Sequence, residues 1–119
     1  MPIDYVNGPN YFLTCPYGDD SPEMLFEQVD KMLNENEEDL KVKPWIVNFV
    51  GYEPTLDWDA LEKLAGYFAE YKIFKLAQYV PNNEYLVEQC RVLDTHLEAA
   101  GIPSRTFRTL KDLHNWLNK

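Results

Sequence analysis

Residues 45–50 read Trp-Ile-Val-Asn-Phe-Val, a nearly continuous apolar run in the middle of the chain. A strand buried on both faces has such a run, whereas a strand with one solvated face alternates apolar and polar residues. The run therefore predicts a central β-strand covered on both sides. Residues 74–80 form a similar run that stops at Pro81-Asn82, which predicts another strand.

An amphipathic helix is predicted after each of these strands. The first begins behind Asp57, a suitable N-cap, and places Trp58, Leu61, Ala65 and Phe68 on one face. Helices of this kind cover a sheet with their apolar face.

The helix after the second strand has the clearest boundaries. It is predicted from about Glu84 to Ala100, where Gly101 is typical of a left-handed C-cap and Pro103 prevents continuation. Its apolar stripe is formed by Leu86, Cys90, Leu93 and Leu97.

The two ends of the chain complete the pattern. Residues 3–6 and 11–14 predict a β-hairpin, and Ser21-Pro22-Glu23 predicts the start of a helix that ends near Asn36. Residues 104–107 predict a last strand, followed by a helix capped by Thr109. The predicted order is ββαβαβαβα. This order implies one α/β domain over residues 1–119, with a mixed, mostly parallel sheet and an N-terminal β-hairpin.

The chain is acidic, with a formal net charge of -9. A negative field repels phosphate backbones and anionic lipids, so we expect neither nucleic-acid nor membrane binding. The acidic residues at 35 and 37–39 fit a solvated helix end better than a metal site. The opening Met-Pro-Ile-Asp-Tyr lacks the features of a signal peptide, and the chain has only two cysteines. We therefore expect a cytoplasmic protein.

Residues 15–18, Cys-Pro-Tyr-Gly, contain a candidate reactive thiol. Glutaredoxins carry Cys-Pro-Tyr-Cys between a strand and a helix, where the helix N-terminus lowers the thiol pKa. Here Gly18 stands at the position of the second cysteine, and the predicted helix cap is only at Ser21. Cys15 is therefore either a strand-end cysteine or, as the alternative, the nucleophile of a thiol-dependent enzyme.

Residues 51–57 are the predicted interaction surface. Ligands of open α/β sheets bind at the carboxyl ends of strands, near helix N-termini. Tyr52 is an aromatic residue able to anchor a partner, and Glu53, Thr55 and Asp57 accompany it. The alternative is that Tyr52 packs over a helix and a proline merely stiffens the turn.

Three segments and the order of the predicted strands and helices are similar to those of one known family. Residues 45–49 correspond to its central strand, residues 75–80 to the next strand, and residues 107–117 to a closing helix that ends in Trp-Leu. In these segments the chain resembles the SpoIIAA-like STAS domains, the anti-sigma-factor-antagonist fold, especially its small stand-alone bacterial members.

This resemblance implies a regulatory domain that works by protein contact. In the sporulation antagonists of that family, a serine in an Asp-Ser-Ser-Gly loop after the central strand is phosphorylated by a partner kinase. The matching residues 51–57 lack that motif, and Thr55 is the only hydroxyl there apart from Tyr52.

The expected function is therefore a non-enzymatic protein-interaction domain with an unidentified protein partner. We expect no catalytic residue, cofactor or metal, and the sequence leaves a homodimer open. The alternative is a small-molecule binder, or a thiol-dependent enzyme that uses Cys15.

Overall fold

The computed structural model describes residues 3–16, 22–50 and 57–118, with the side chains of residues 3–5 and 22–25 not described. Within this part the chain forms five strands and five helices. The strands are β1 (Ile3–Asn7), β2 (Phe12–Pro16), β3 (Pro44–Asn48), β4 (Lys75–Tyr79) and β5 (Ser104–Phe107). The helices are α1 (Pro22–Glu35), α2 (Glu37–Leu40), α3 (Trp58–Tyr71), α4 (Glu84–Ala99) and α5 (Leu110–Leu117).

All five strands form one sheet in the order β1-β2-β3-β4-β5. β1 runs antiparallel to β2, and the three other pairs are parallel. The backbone N–H of Gly8 donates to the carbonyl of Tyr11 at 3.0 Å and closes the hairpin. The predicted α/β fold with a mixed, mostly parallel sheet is confirmed, and so is the N-terminal hairpin.

The helix that was expected to end near Asn36 continues as a second short helix. The backbone of Asn36 leaves the helical region, and its side chain donates to the carbonyl of Met32 at 2.9 Å. α2 then starts with three acidic residues, which favour the positive end of a helix. It buries Leu40, and burial of this apolar side chain accounts for the extra turn.

The sheet has two differently covered faces. Trp45 and Val47 of β3 belong to the main core with residues of α1, α3 and α4, whereas Ile46 between them belongs to a smaller cluster with Leu113 of α5. All three β3 side chains are buried, so the predicted central strand is confirmed. We call the first face the three-helix face and the second the α5 face.

Three helices begin at the edge of the sheet where the parallel strands end, which we call the carboxyl edge. Asp57, Asn83 and Thr109 cap α3, α4 and α5, each accepting a hydrogen bond from a backbone N–H three residues on. The predicted caps at Asp57 and Thr109 are confirmed. Gly101 has a φ of 86°, which confirms the left-handed conformation predicted after α4.

No helix in the described part of the chain is both long and apolar enough to span a membrane.

Candidate functional site

The predicted interaction segment lies mostly outside the described residues. Tyr52, Glu53 and Thr55 fall within residues 51–56, so their predicted role is not placed by the structure. Asp57 is described, and its carboxylate accepts the backbone N–H of Ala60 at 2.8 Å. This bond fixes the first turn of α3 and holds the end of the predicted segment at the carboxyl edge.

Large apolar side chains are exposed along the same edge. Val50 follows β3, and the other three lie in the first turns of α3, α4 and α5. The exposed fractions are 65% for Val50, 50% for Trp58, 53% for Tyr85 and 51% for Leu110. The order of strands and helices therefore brings four apolar groups from distant parts of the sequence to one edge of the sheet.

The exposure of Trp58 corrects one prediction. Trp58 was expected to share a buried face with Leu61 and Phe68, and those two side chains are buried while Trp58 is half exposed. Helical spacing fixes the direction of a side chain but not what lies opposite it. The first turn of α3 stands at the edge of the sheet, where the strands that cover the later turns have ended.

Two polar interactions fix the backbone around these groups. The side-chain oxygen of Asn48 accepts the backbone N–H of Val50 at 3.0 Å, which turns the chain out of β3 before the expected end of the strand. Arg108, after β5, forms a salt bridge with Glu84 at the start of α4. Both partners of this salt bridge are exposed, so it orients neighbouring elements more than it stabilises them.

The opposite edge of the sheet, which we call the amino edge, is held by a polar network. Asn7 donates to Asp39 at 2.6 Å, and the ammonium of Lys43 donates to Asn7 at 2.8 Å and to the carbonyl of Gly8 at 2.9 Å. The hydrogen bond from Asn7, together with the Lys43 ammonium that lies 3.2 Å from the carboxylate of Asp39, lowers the pKa of Asp39. Asp39, one of the acidic residues at 35 and 37–39, thus joins the hairpin to α2.

A buried carboxylate joins α4 to the sheet. Asp94 accepts hydrogen bonds from Gln78 of β4 at 2.8 Å, from Ser104 of β5 at 2.5 Å and from Thr106 of β5 at 2.6 Å. Burial raises the pKa of Asp94, although these three hydrogen bonds act in the opposite direction. Because its described partners are all donors from the fold itself, we assign this network to fixing the position of α4.

Sequence reasoning missed Asp94, although a signal was present. Asp94 lies four residues after Cys90 and three before Leu97, on the same stripe that was used to predict the helix. A charged residue inside an apolar stripe is buried only with partners. Its partners on two strands are distant in sequence, so they could not have been named.

The two cysteines have different surroundings, and neither forms a disulfide. Cys90 is buried in the α4 packing, as predicted, and burial raises its pKa well above the usual range. Cys15 is half-buried within β2, opposite Asp4 of β1, and α1 begins only at Pro22. The hypothesis of a reactive Cys15 stays a prediction.

Among the described residues, no group of three or more histidine, cysteine, aspartate or glutamate side chains is placed to hold a metal ion. No family model, curated protein or solved structure matches the chain. The carboxyl edge, with its exposed apolar side chains, is therefore the feature of the structure from which a function can be proposed.

Proposed function

We propose that the chain is a non-enzymatic regulatory domain that binds a partner protein through the carboxyl edge of its sheet. The observation that carries this proposal is the set of four exposed apolar side chains at that edge, Val50, Trp58, Tyr85 and Leu110. Tyr11, Val42 and Phe74 are also exposed, at the amino edge, so the number of exposed apolar residues does not separate the two edges. The carboxyl edge is favoured because it contains the exposed tryptophan and adjoins residues 51–57.

The residue types support contact with a protein. Tryptophan and tyrosine are enriched among the residues that dominate binding energies, because they bury a large area at a small entropic cost. Trp58 and Tyr85 lie in the first turns of α3 and α4, which the capping bonds of Asp57 and Asn83 hold in place. Because the backbone at these positions is already ordered, binding has only the side chains left to order.

The resemblance to the SpoIIAA-like STAS domains supports the same edge. In that family the loop after the central strand contacts the partner, and the corresponding residues 51–57 lead directly into Trp58. The proposal includes Tyr52, Glu53 and Thr55 as part of the surface, and a cytoplasmic location. It does not include a phosphorylation switch, because the Asp-Ser-Ser-Gly motif is absent from the sequence.

The net charge restricts the partner. With a formal charge of -9, the chain attracts surfaces with a basic rim and repels acidic ones. The partner that fits best has an apolar centre to receive the aromatic residues and a basic periphery.

The test uses affinity capture from a lysate of the source cells, with variants matched between the two edges. The test variants are Trp58→Ala with Tyr85→Ala, and Tyr52→Ala with Glu53→Lys. The control is Phe74→Ala with Tyr11→Ala, which removes two exposed aromatic residues from the amino edge. We expect a stoichiometric partner with the wild type and the control, and its loss with both test variants.

Two outcomes would contradict the proposal. Retention of every stoichiometric partner by both test variants would exclude the carboxyl edge. Loss of the partner from the control alone would move the binding surface to the amino edge. Circular dichroism of each variant shows whether a loss of binding is a loss of folding.

A further inference from the structure

A cavity of about 70 Å³ lies between the sheet and the helices of the three-helix face. Side chains from α1, α3, α4 and the middle strands line it, among them Val29, Leu64, Leu93 and Val47. These elements pack on one another, yet their side chains do not fill the space at their centre. None of the four exposed residues proposed to bind a protein lines this cavity.

The size and the lining of the cavity favour an apolar guest. A single water needs roughly 10–15 Å³ and two to four polar partners. A volume of about 70 Å³ admits several non-hydrogen atoms, but its wall is almost wholly hydrocarbon and offers few partners for that many waters. An apolar molecule would regain the dispersion contacts that the empty space lacks. A charged guest would lose its hydration without compensation.

Thr14 is the lining residue that carries a hydroxyl, and Gln78 and Gln89 are the polar lining residues that carry amides. Thr14 is 2% exposed, and its hydroxyl oxygen accepts the indole N–H of Trp45 at 2.9 Å. Within the described part of the chain, nothing accepts the hydroxyl hydrogen of Thr14, which therefore remains available as a donor. A guest that carries a hydrogen-bond acceptor can use it.

Three of the lining residues lie at the carboxyl edge. Pro16 ends β2, Phe49 follows β3, and Leu86 lies in the first turn of α4, so all three stand at the carboxyl edge. Open α/β sheets bind their ligands at this edge. The half-buried Phe49 is the lining residue at the end of the central strand.

From these observations we infer that the cavity binds a small, uncharged, mainly apolar molecule with one carbonyl-type acceptor, held by the hydroxyl of Thr14. The size of the cavity limits the molecule to a few carbon atoms unless the walls move.

A matched pair of probes tests this inference in the full chain. The probes are 2-butanone and 2-methyl-1-butene, which have nearly the same shape and differ in the carbonyl oxygen. Binding is followed by the shifts of ¹³C-labelled methyl groups. We expect saturable shifts at Val29, Val47 and Leu64 with both probes.

Substitutions at Thr14 separate the hydrogen bond from the volume. Thr14→Val alone would free the indole N–H of Trp45 as a new donor for the ketone, so the substitution is made in a Trp45→Phe background. There it removes the hydroxyl donor at nearly constant shape and is expected to weaken ketone binding about three- to tenfold, the usual effect of one hydrogen bond. The same substitution should leave binding of the alkene unchanged. Thr14→Ser keeps the hydroxyl and should keep the preference for the ketone.

A filling variant gives a second, independent measurement. Val29→Phe places a ring in the cavity and is expected to abolish binding of both probes, whereas Val87→Ile adds volume to a buried residue outside the lining and should preserve binding. Absence of saturable shifts with both probes in the wild type would overturn the inference. A ratio of ketone to alkene affinity that Thr14→Val leaves unchanged would overturn the assigned role of the hydroxyl.

Discussion

The three-helix face and the α5 face of the sheet differ in how completely their apolar side chains are buried. On the three-helix face, fully buried side chains such as Phe12, Leu76 and Leu97 form one continuous core. On the α5 face, Leu113 is fully buried, but its neighbours Leu13 and Trp116 are only partly covered. One face therefore carries most of the hydrophobic stabilisation, and the other is closer to a surface that one short helix protects.

The largest effects on stability are expected when a buried leucine is replaced by alanine on each of the two faces. Leu76→Ala on the three-helix face should lower the free energy of unfolding by about 3–5 kcal/mol, because the surrounding elements cannot close the space. Leu113→Ala removes an equally buried side chain but should cost only about 2–3 kcal/mol, since α5 can shift towards the sheet. Urea unfolding of both variants measures the difference. An equal or larger loss for Leu113→Ala would refute the comparison.

The polar network of the three-helix face should give the next largest effect. Asp94→Ala leaves the amide of Gln78 without one acceptor and should cost about 2–3 kcal/mol at neutral pH. Asp94→Asn should cost less than about 1 kcal/mol, because the hydroxyls of Ser104 and Thr106 can accept as well as donate hydrogen bonds. A larger cost for the asparagine variant than for the alanine variant would show that the negative charge itself is needed.

Because the pKa of Asp94 is raised, the difference in stability between the wild type and Asp94→Asn should depend on pH. In the unfolded chain Asp94 loses its proton near its ordinary pKa of 3.8, whereas in the folded chain it keeps the proton to higher pH. Unfolding then releases a proton, so this group makes the wild type less stable as the pH rises from 3.8 through the folded pKa. Asp94→Asn lacks this loss, so its free energy of unfolding should rise relative to that of the wild type over the same pH interval. Unfolding titrations from about pH 4 to about pH 7.5 measure the difference, and a constant difference would contradict the raised pKa.

The alkylation rates of the two cysteines compare the solvent access of α4 with that of β2. Cys90 is a buried residue of α4, while Cys15 is only half-buried on β2. Alkylation of Cys90 should be at least roughly 100-fold slower than that of Cys15, because it requires an opening of the core. The single variants Cys15→Ser and Cys90→Ser assign the rates. A pKa near about 8.5 for Cys15, obtained from the pH dependence of its alkylation, would remove the glutaredoxin-like hypothesis.

The smallest effects on stability are expected at the two edges of the sheet. Trp58→Ala and Phe74→Ala each remove an aromatic residue that is about half exposed, and each should change the free energy of unfolding by less than about 1 kcal/mol. Thermal unfolding of the two variants is the check. A loss of several kcal/mol for Trp58→Ala would mean that this side chain supports the core and is not free to meet a partner.

Local signals in the sequence were sufficient to predict most of the fold. The apolar run at residues 45–50 indicated the central strand, and Asp57, Thr109 and Gly101 marked helix ends through their own backbone and side-chain chemistry. The end of β3 was placed too late, because the turn made by Asn48 depends on one side-chain hydrogen bond that periodicity does not reveal.

The features that were not predicted depend on contacts between distant residues. The partners of Asp94, the exposure of Trp58 and the cavity beside Thr14 all follow from how helices lie on the sheet. Of the predicted interaction residues, only Asp57 is placed, and its carboxylate serves as a helix cap. The exposed groups at the carboxyl edge could have been proposed only once the order of the strands was known.

The order β1-β2-β3-β4-β5 also has a consequence for biosynthesis. Each strand hydrogen-bonds to the one made just before it, so no strand has to wait for a segment that the ribosome has not yet released. The sheet can grow by accretion from the N-terminal hairpin, one strand and one helix at a time. We expect nascent chains halted after α4, once the helices of the main core have been made, to be already protected from protease, in contrast to a sheet whose first and last strands must pair.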